Sequence, residues 1–240
     1  MLPRMADLLV IAPHPDDAEI HCGATIAAHV RQGVSVAIVD ATQGELASRG
    51  TPEERAREAA AAATALGVAA RENLGLPDGR LRGDDPDQRD RIVDALRRHQ
   101  ARTVLCLSPH ARHPDHLALA ALVRAAVKAA TLHRLAAPSG AAAVPQPRLW
   151  FAEAELPIER VQFLVPATEA DWEQKRAAIR CYGSQLHRPG AEAPATSIAD
   201  PGFLAWIEAR GRTWGHQADA AYAEAFHGPE AARMANLIGG

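Results

Sequence analysis

A chain of 240 residues, 48% of them hydrophobic, has enough apolar material for one well-packed α/β core, so a single domain over residues 1–240 is expected. Twenty-six Lys and Arg against 29 Asp and Glu give a net charge of -3, with no basic patch for nucleic acid or an anionic membrane, which leaves a small molecule as the expected partner. The three cysteines, Cys22, Cys106 and Cys181, form no CxxC pair, so they exclude a disulfide framework and a Cys-rich zinc site and read as core residues or free thiols.

The first 17 residues carry one Arg and an apolar run broken by Pro13, too short for a signal segment or a membrane span, which implies a cytoplasmic protein. From there the pattern alternates. A strand at 8–12 leads to a helix at about 20–32, and a second strand at 35–40 follows. Thr51 as a cap and Pro52 at the first helical position start an Ala-rich helix that ends before Gly67. Strands at 72–74 and 103–107 flank an amphipathic helix at 88–99, and a long helix is expected from 115 to 135. An Ala/Pro-rich surface loop at 136–147 separates this half from strands at 148–153 and 160–165 and helices at 169–182 and 201–217. Repeated β-α alternation predicts an α/β, Rossmann-like three-layer fold with a mostly parallel sheet and its active site at the C-terminal edge of the strands.

Two clusters lie immediately after expected strands. Ala12-Pro13-His14-Pro15-Asp16-Asp17, with Glu19 close behind, packs an imidazole and three acids into six residues, and such like charges raise one another's pKa unless a cation is present. The bland alternative is a Pro-rich turn with Asp as a helix cap. The second cluster, Ser108-Pro109-His110-Ala111-Arg112-His113-Pro114-Asp115-His116, opens a later helix at the same sheet edge, so the two segments can meet. A catalytic zinc takes about three protein ligands and keeps a position for water, a count that His14, Asp17 and His116 satisfy.

HPDD after the first strand with HPDH after a later one resembles the LmbE-like, or PIG-L, family of zinc-dependent N-acetylglucosaminyl deacetylases. The resemblance extends through Asp40-Ala41-Thr42-Gln43-Gly44-Glu45-Leu46, Gly50-Thr51 with Arg55, Asn73-Leu74 with Pro77-Asp78, and Tyr182-Gly183-Ser184-Gln185. Residues 203–210 and 222–226 are similar to the bacillithiol-pathway deacetylases, which implies N-acetylglucosaminyl-malate as substrate; other N-acetylglucosamine conjugates (nucleotide sugar, lipid-linked sugar, chitooligosaccharide, glycosylated natural product) are the alternative. The resemblance implies His14, Asp17 and His116 as ligands of one Zn2+ per subunit, or of another divalent metal such as Fe2+, with Asp16 as general base. It further implies His113 as donor to the oxyanion or leaving amine, oriented by Asp115, and Arg55, Asp78 and Arg112 as substrate contacts, the arginines meeting an anionic aglycone. A homo-oligomer, commonly a hexamer, is the family expectation.

Two positions depart from the family pattern. His21 stands where relatives carry a small residue and is expected at the surface. Phe203 replaces a tyrosine suited to bind the oxyanion, and a phenyl ring donates no hydrogen bond, which places more of that role on His113. The remaining histidines at 29, 99, 133, 187, 216 and 227 are expected at the surface or at caps.

Two other classes compete for this pattern. A dinucleotide-binding oxidoreductase would use Asp40 on a ribose, but its first turn needs close glycine backbone, and this turn holds two prolines, two aspartates and a histidine. A structural zinc protein would show a closed, Cys-rich site, whereas this ligand set keeps an open position beside a spare carboxylate and a spare histidine.

Overall fold

The computed structural model describes residues 6–190 and 192–229. The elements run β1 (Leu8–Ala12), α1 (Asp17–Arg31), β2 (Val36–Thr42), α2 (Pro52–Leu66), β3 (Ala70–Leu76), α3 (Pro86–His99), β4 (Thr103–Leu107), α4 (Pro114–Ala129), β5 (Arg148–Ala152), β6 (Phe163–Ala167), α5 (Glu169–Arg180), α6 (Phe203–Gln217) and β7 (Tyr222–His227). They build one seven-stranded sheet in the order β3-β2-β1-β4-β5-β7-β6. The first five strands in that order are parallel, and β7 runs antiparallel to both β5 and β6.

Side-chain alternation explains the three layers. Leu9 and Ile11 of β1 join Val39, Val104, Leu119 and Val123 in the core under α3 and α4. Leu8, Val10 and Ala12 face the other way, packing with Ile26, Ile38, Leu66 and Leu105 under α1, α2 and α5. β1 and β2 are buried throughout, as central parallel strands covered on both faces must be. The order reverses between β1 and β4, and a doubly wound sheet opens its ligand crevice at that switch point, outside the carboxyl ends of the strands. The two histidine-aspartate clusters are the turns leaving these two strands.

Where observed boundaries differ from the sequence pattern, a side chain accounts for the difference. Thr51 accepts from Glu54 N–H and Gly67 closes α2 at φ 70°, as the composition predicts. The helix expected to reach residue 135 stops at Ala129. Buried Arg97 reaches the carbonyls that follow, donating to Ala130 (3.2 Å), Leu132 (2.8 Å), Leu135 (2.8 Å) and Ala141 (3.3 Å), and so satisfies them without further helical turns. β6 lies two or three residues later than expected and contains Pro166, which the sheet accepts because β6 is an edge strand.

α1 begins at Asp17, earlier than its apolar periodicity suggests, and breaks at Cys22, whose φ/ψ of -141°/20° is not helical. The N–H groups freed by the break, Ala24 and Thr25, donate to Glu224 of β7 at 3.2 and 2.7 Å. Lys175 of α5 pairs with the same carboxylate at 2.5 Å, and its stem crosses Gly23 so closely that a Cβ there would meet Lys175 Cγ at 2.9 Å. β7 itself has no counterpart among the predicted strands. Cys22 and Cys106 are buried and Cys181 is half-buried, all as free thiols. Among the described residues no helix is long and apolar enough to cross a membrane.

Candidate active site

The β1–α1 turn carries His14, Asp16 and Asp17 to the switch point, and the β4–α4 turn carries His113, Asp115 and His116 to meet them. Asp17 Oδ2 lies 3.0 Å from His14 Nδ1 and 3.3 Å from His116 Nε2, so one carboxylate oxygen and two imidazole nitrogens converge on a single point. The far nitrogen of each ring faces another acid. His14 Nε2 lies 3.1 Å from Asp78 Oδ1 and 3.4 Å from Asp115 Oδ2; His116 Nδ1 lies 2.9 Å from Glu155 Oε1, outside hydrogen-bonding alignment. Carboxylates behind imidazoles fix the tautomer and orientation that a metal ligand needs.

Two sets of ligand atoms lie within 4.8 Å of one another, those of His14, His113 and His116 and those of His14, Asp78 and Asp115; Asp17 belongs to neither and meets His14 and His116 in separate contacts. Distance alone therefore does not single out one triad. His113 Nδ1 is engaged as the cap of α4, accepting from Asp115 N–H at 3.2 Å, which leaves its Nε2 free, and Asp78 is engaged by His14 and by Leu46 N–H at 2.8 Å. Two nitrogens and one carboxylate oxygen within reach of a common point, with carboxylates in excess around them, suit a divalent cation. Burial alone would raise the Asp17 carboxyl, but the imidazoles of His116 and His14 outweigh it and hold the group well below the usual range. His116 moves the other way, to about 9, because Asp17 and Glu155 overcome the cost of burying its charge.

Asp16 stands at the N-cap position of α1 yet makes no capping hydrogen bond, so the bland reading of the motif as a helix cap fails. Its φ of 123° is a conformation that a non-glycine residue holds only when its surroundings impose it. The buried Arg55 imposes it here, pairing with Asp16 Oδ2 at 2.9 Å and donating to the Pro15 carbonyl. Burial then lifts the Asp16 carboxyl to about 7, with Arg55 restraining the rise. Such a group suits proton transfer near neutrality.

Several expected roles change. Asp115 meets His113 through its backbone N–H and not its carboxylate, which accepts from Gly79 N–H (2.7 Å) and Leu81 N–H (3.2 Å) beside His14 Nε2, so the side chain holds His14 and the β3–α3 loop. Because His113 Nδ1 accepts from backbone, its proton sits on Nε2, and the neutral ring is an N–H donor. Arg55 is not a spare anion contact, since its anion is Asp16. Arg112 is exposed and absent from the cavity lining; only its backbone N–H engages the site, donating to Glu155 Oε2 at 3.3 Å. Asp78 lines the cavity but is committed to His14 and Leu46.

His21 is buried rather than on the surface, with Nε2 3.7 Å from Asp17 Oδ1 and Nδ1 3.4 Å from Arg210 Nη2. The break at Cys22 and the half-buried Arg210 bring it there. Burial and the neighbouring guanidinium push its pKa down to about 3. His99 is also buried, bonded to Glu72 at 3.0 Å, and His227 meets Ser108 Oγ at 3.0 Å. Asp40, the would-be ribose acid, is fully engaged by Arg71 at 2.8 and 2.9 Å.

Glu155 and Arg210 escaped the sequence reading. The only signal for Glu155 was its place three residues beyond a strand end, in Glu153-Ala154-Glu155. The cavity that His14, Asp16, Asp17, His113, His116 and Glu155 line measures about 370 Å³ and is also lined by Ile198, Phe203 and Trp206. A second cavity of about 340 Å³, beyond α2 and lined by Asp40 and Arg71 among others, contains none of the imidazoles.

The family model described as PIG-L, GlcNAc-PI de-N-acetylase, matches residues 9–127, the stretch that supplies both clusters, and the chain belongs to this family. A 1D-myo-inositol 2-acetamido-2-deoxy-alpha-D-glucopyranoside deacetylase of Kineococcus radiotolerans is 32% identical over 163 residues, covering 51% of this chain and 45% of the relative. A protein of Bacillus cereus named "Probable N-acetyl-alpha-D-glucosaminyl L-malate deacetylase 2" is 34% identical over 131 residues, 49% of this chain and 60% of the relative. The match thus spans about half the length of these curated relatives.

Among solved structures, the conserved protein TT1542 from Thermus thermophilus is 40% identical with a TM-score of 0.84, covering 96% of this chain and 97% of the other. The fold alone is shared, at 24% identity, with the N,N'-diacetylchitobiose deacetylase of Pyrococcus horikoshii (TM-score 0.76, covering 92% and 82%). The same holds for the 4-carboxy-2-hydroxymuconate hydratase GalB of Pseudomonas putida KT2440 (24%, TM-score 0.78, covering 98% and 100%).

Proposed function

We propose that this protein is a metal-dependent N-deacetylase that hydrolyses the acetamide of an N-acetylglucosamine conjugate, releasing acetate and the free amine. The observation that carries this reading is the convergence of His14, Asp17 and His116 beside a buried Asp16 held by Arg55. His14, Asp17 and His116 would hold the cation, which we take to be zinc, with Fe2+ as the alternative. When bound, it supplies Lewis-acid polarisation of the acetyl carbonyl and acidifies water.

Asp16 takes the proton as the water oxygen adds to the acetyl carbon, and its raised pKa suits both acceptance and later release. His113 offers Nε2–H to the developing oxyanion, the role that Phe203 cannot fill. The proton held on Asp16 then passes to the sugar nitrogen as the C–N bond breaks. Asp78 and Glu155 hold the rings of His14 and His116 throughout.

The malate conjugate and the inositol conjugate, named for the Bacillus and Kineococcus relatives respectively, are the first substrates to compare. The hydratase that shares the fold is too distant for its reaction to be carried over. Purified protein should release acetate from N-acetylglucosamine conjugates, lose that activity on chelation and regain it with Zn2+. Asp16→Asn should keep its metal while kcat falls by about 10²–10⁴-fold. An Asp16→Asn protein with near-normal turnover would overturn the assignment. Sedimentation of the loaded protein tests the homo-oligomer expected from the family.

A further inference from the structure

The apolar part of the cavity lining bears on the part of the substrate that does not react. Leu46 and Trp206 line the cavity while remaining 66% and 42% exposed, so a large apolar surface stands at its mouth. Phe203 lies 6.0 Å from Trp206 between ring centroids, and Ile198 continues the wall. The indole is fixed from behind, because the Arg210 guanidinium stacks over it at 4.5 Å and is itself tied to the Ala154 carbonyl and, at 3.5 Å, to Glu153. A rigid aromatic plate with one face occupied and a large part of its surface in solvent is a platform for stacking.

The charge around the mouth points the same way. The described lining residues include four carboxylates, Asp16, Asp17, Asp78 and Glu155, four imidazoles, of which His14 and His116 face Asp17, Asp78 and Glu155, and one guanidinium, Arg55, which is paired with Asp16 at 2.9 Å. The acids are matched by their imidazoles and by Arg55, so an anionic aglycone finds no guanidinium or ammonium among the described lining residues to receive its carboxylate.

Resting on the deacetylase reading, we infer that the subsite beside the acetamido sugar takes a neutral aglycone with a flat face, stacked on Trp206, and discriminates against an anionic one. An aromatic ring and the C–H face of a second sugar share this chemistry, and the test separates them.

The metal-loaded full chain is assayed for acetate release from N-acetylglucosamine, its phenyl β-glycoside, N,N'-diacetylchitobiose and N-acetylglucosaminyl-malate. The phenyl glycoside or the disaccharide should exceed the malate conjugate in kcat/KM by about tenfold, with the difference carried by KM. Whichever is the better of the two identifies the aglycone. Trp206→Ala should bring the ratio of that substrate to N-acetylglucosamine close to one, while Trp206→Phe retains most of it.

A preference for malate, or a ratio untouched by Trp206→Ala in a protein with normal metal content, overturns the inference while leaving the deacetylase reading intact. If no substrate releases acetate, the deacetylase reading fails. The subsite is then decided by direct binding of the phenyl glycoside to wild type and Trp206→Ala: a weakened variant supports it, and equal binding overturns it.

Discussion

The parallel strands β3-β2-β1-β4-β5 and the antiparallel pair β7-β6 share one sheet, yet they serve the cavity differently. The parallel part delivers the reactive groups on two turns flanking the switch point, where backbone geometry alone brings distant residues together. The antiparallel part and its helices contribute no member of the His14-Asp17-His116 set. They supply instead the carboxylate that fastens α1 at its break, through Glu224, and the aromatic wall at the cavity mouth. The proposed chemistry thus falls in the half that matches the family model, and the proposed aglycone subsite is built largely from the half beyond it. Such a division lets one reaction serve different conjugates.

Three substitutions probe that division, beginning with the greatest effect. Lys175→Met leaves Glu224 buried without its cation, and breaking such a pair costs about 3–5 kcal/mol. Urea unfolding should show this loss, and a change below about 1 kcal/mol would mean that the C-terminal half does not secure α1. Glu155→Gln removes the charge facing His116 Nδ1 and should weaken metal affinity about 10–100-fold in a chelator competition. Affinity within twofold of wild type would show that the β5 end contributes nothing to the metal centre.

The smallest effect is pH-dependent. Burial would raise the Glu208 carboxyl, but hydrogen bonds from Tyr222, Arg176 and Trp172 outweigh it and hold the group at about 2. With its folded pKa below the unfolded value of about 4.3, Glu208 adds stability that is present above the unfolded value and fades as pH falls towards 2. Glu208→Gln should lower stability at pH 7 by about 1 kcal/mol, and the difference from wild type should shrink away as pH falls towards 2, which flattens the acid limb. An unchanged acid limb would remove Glu208 from the forces joining α5, α6 and β7.

The parallel half was legible in the sequence because each strand is a short apolar run and each reactive cluster follows one directly, so order along the chain became position at one sheet edge. β7 was not legible. Tyr222-Ala223-Glu224-Ala225-Phe226 places a charged residue in a buried strand, and only Lys175 and the N–H groups of Ala24 and Thr25, far away in sequence, make that burial tolerable. His21 was misplaced because a continuous helix would carry it differently, and nothing near Cys22 announces the break. Asp115 and Arg112 were misjudged because side-chain direction within a turn depends on which backbone groups need partners. Gly79 and Leu81 N–H claimed Asp115, and Arg112 was left in solvent.

Because α1 is two rods joined at Cys22, the front piece bearing Asp17 and His21 hangs between the β1 turn and a joint whose far side, at Ala24 and Thr25, is fastened to the Glu224 carboxylate of β7. A slip of β7 along its neighbours would swivel that front piece about the joint, where an unbroken helix would simply stiffen against it. Positions on β7 remote from the cavity thereby become control points for the angle at which Asp17 meets its partners, and drift there can retune the centre without altering a residue inside it.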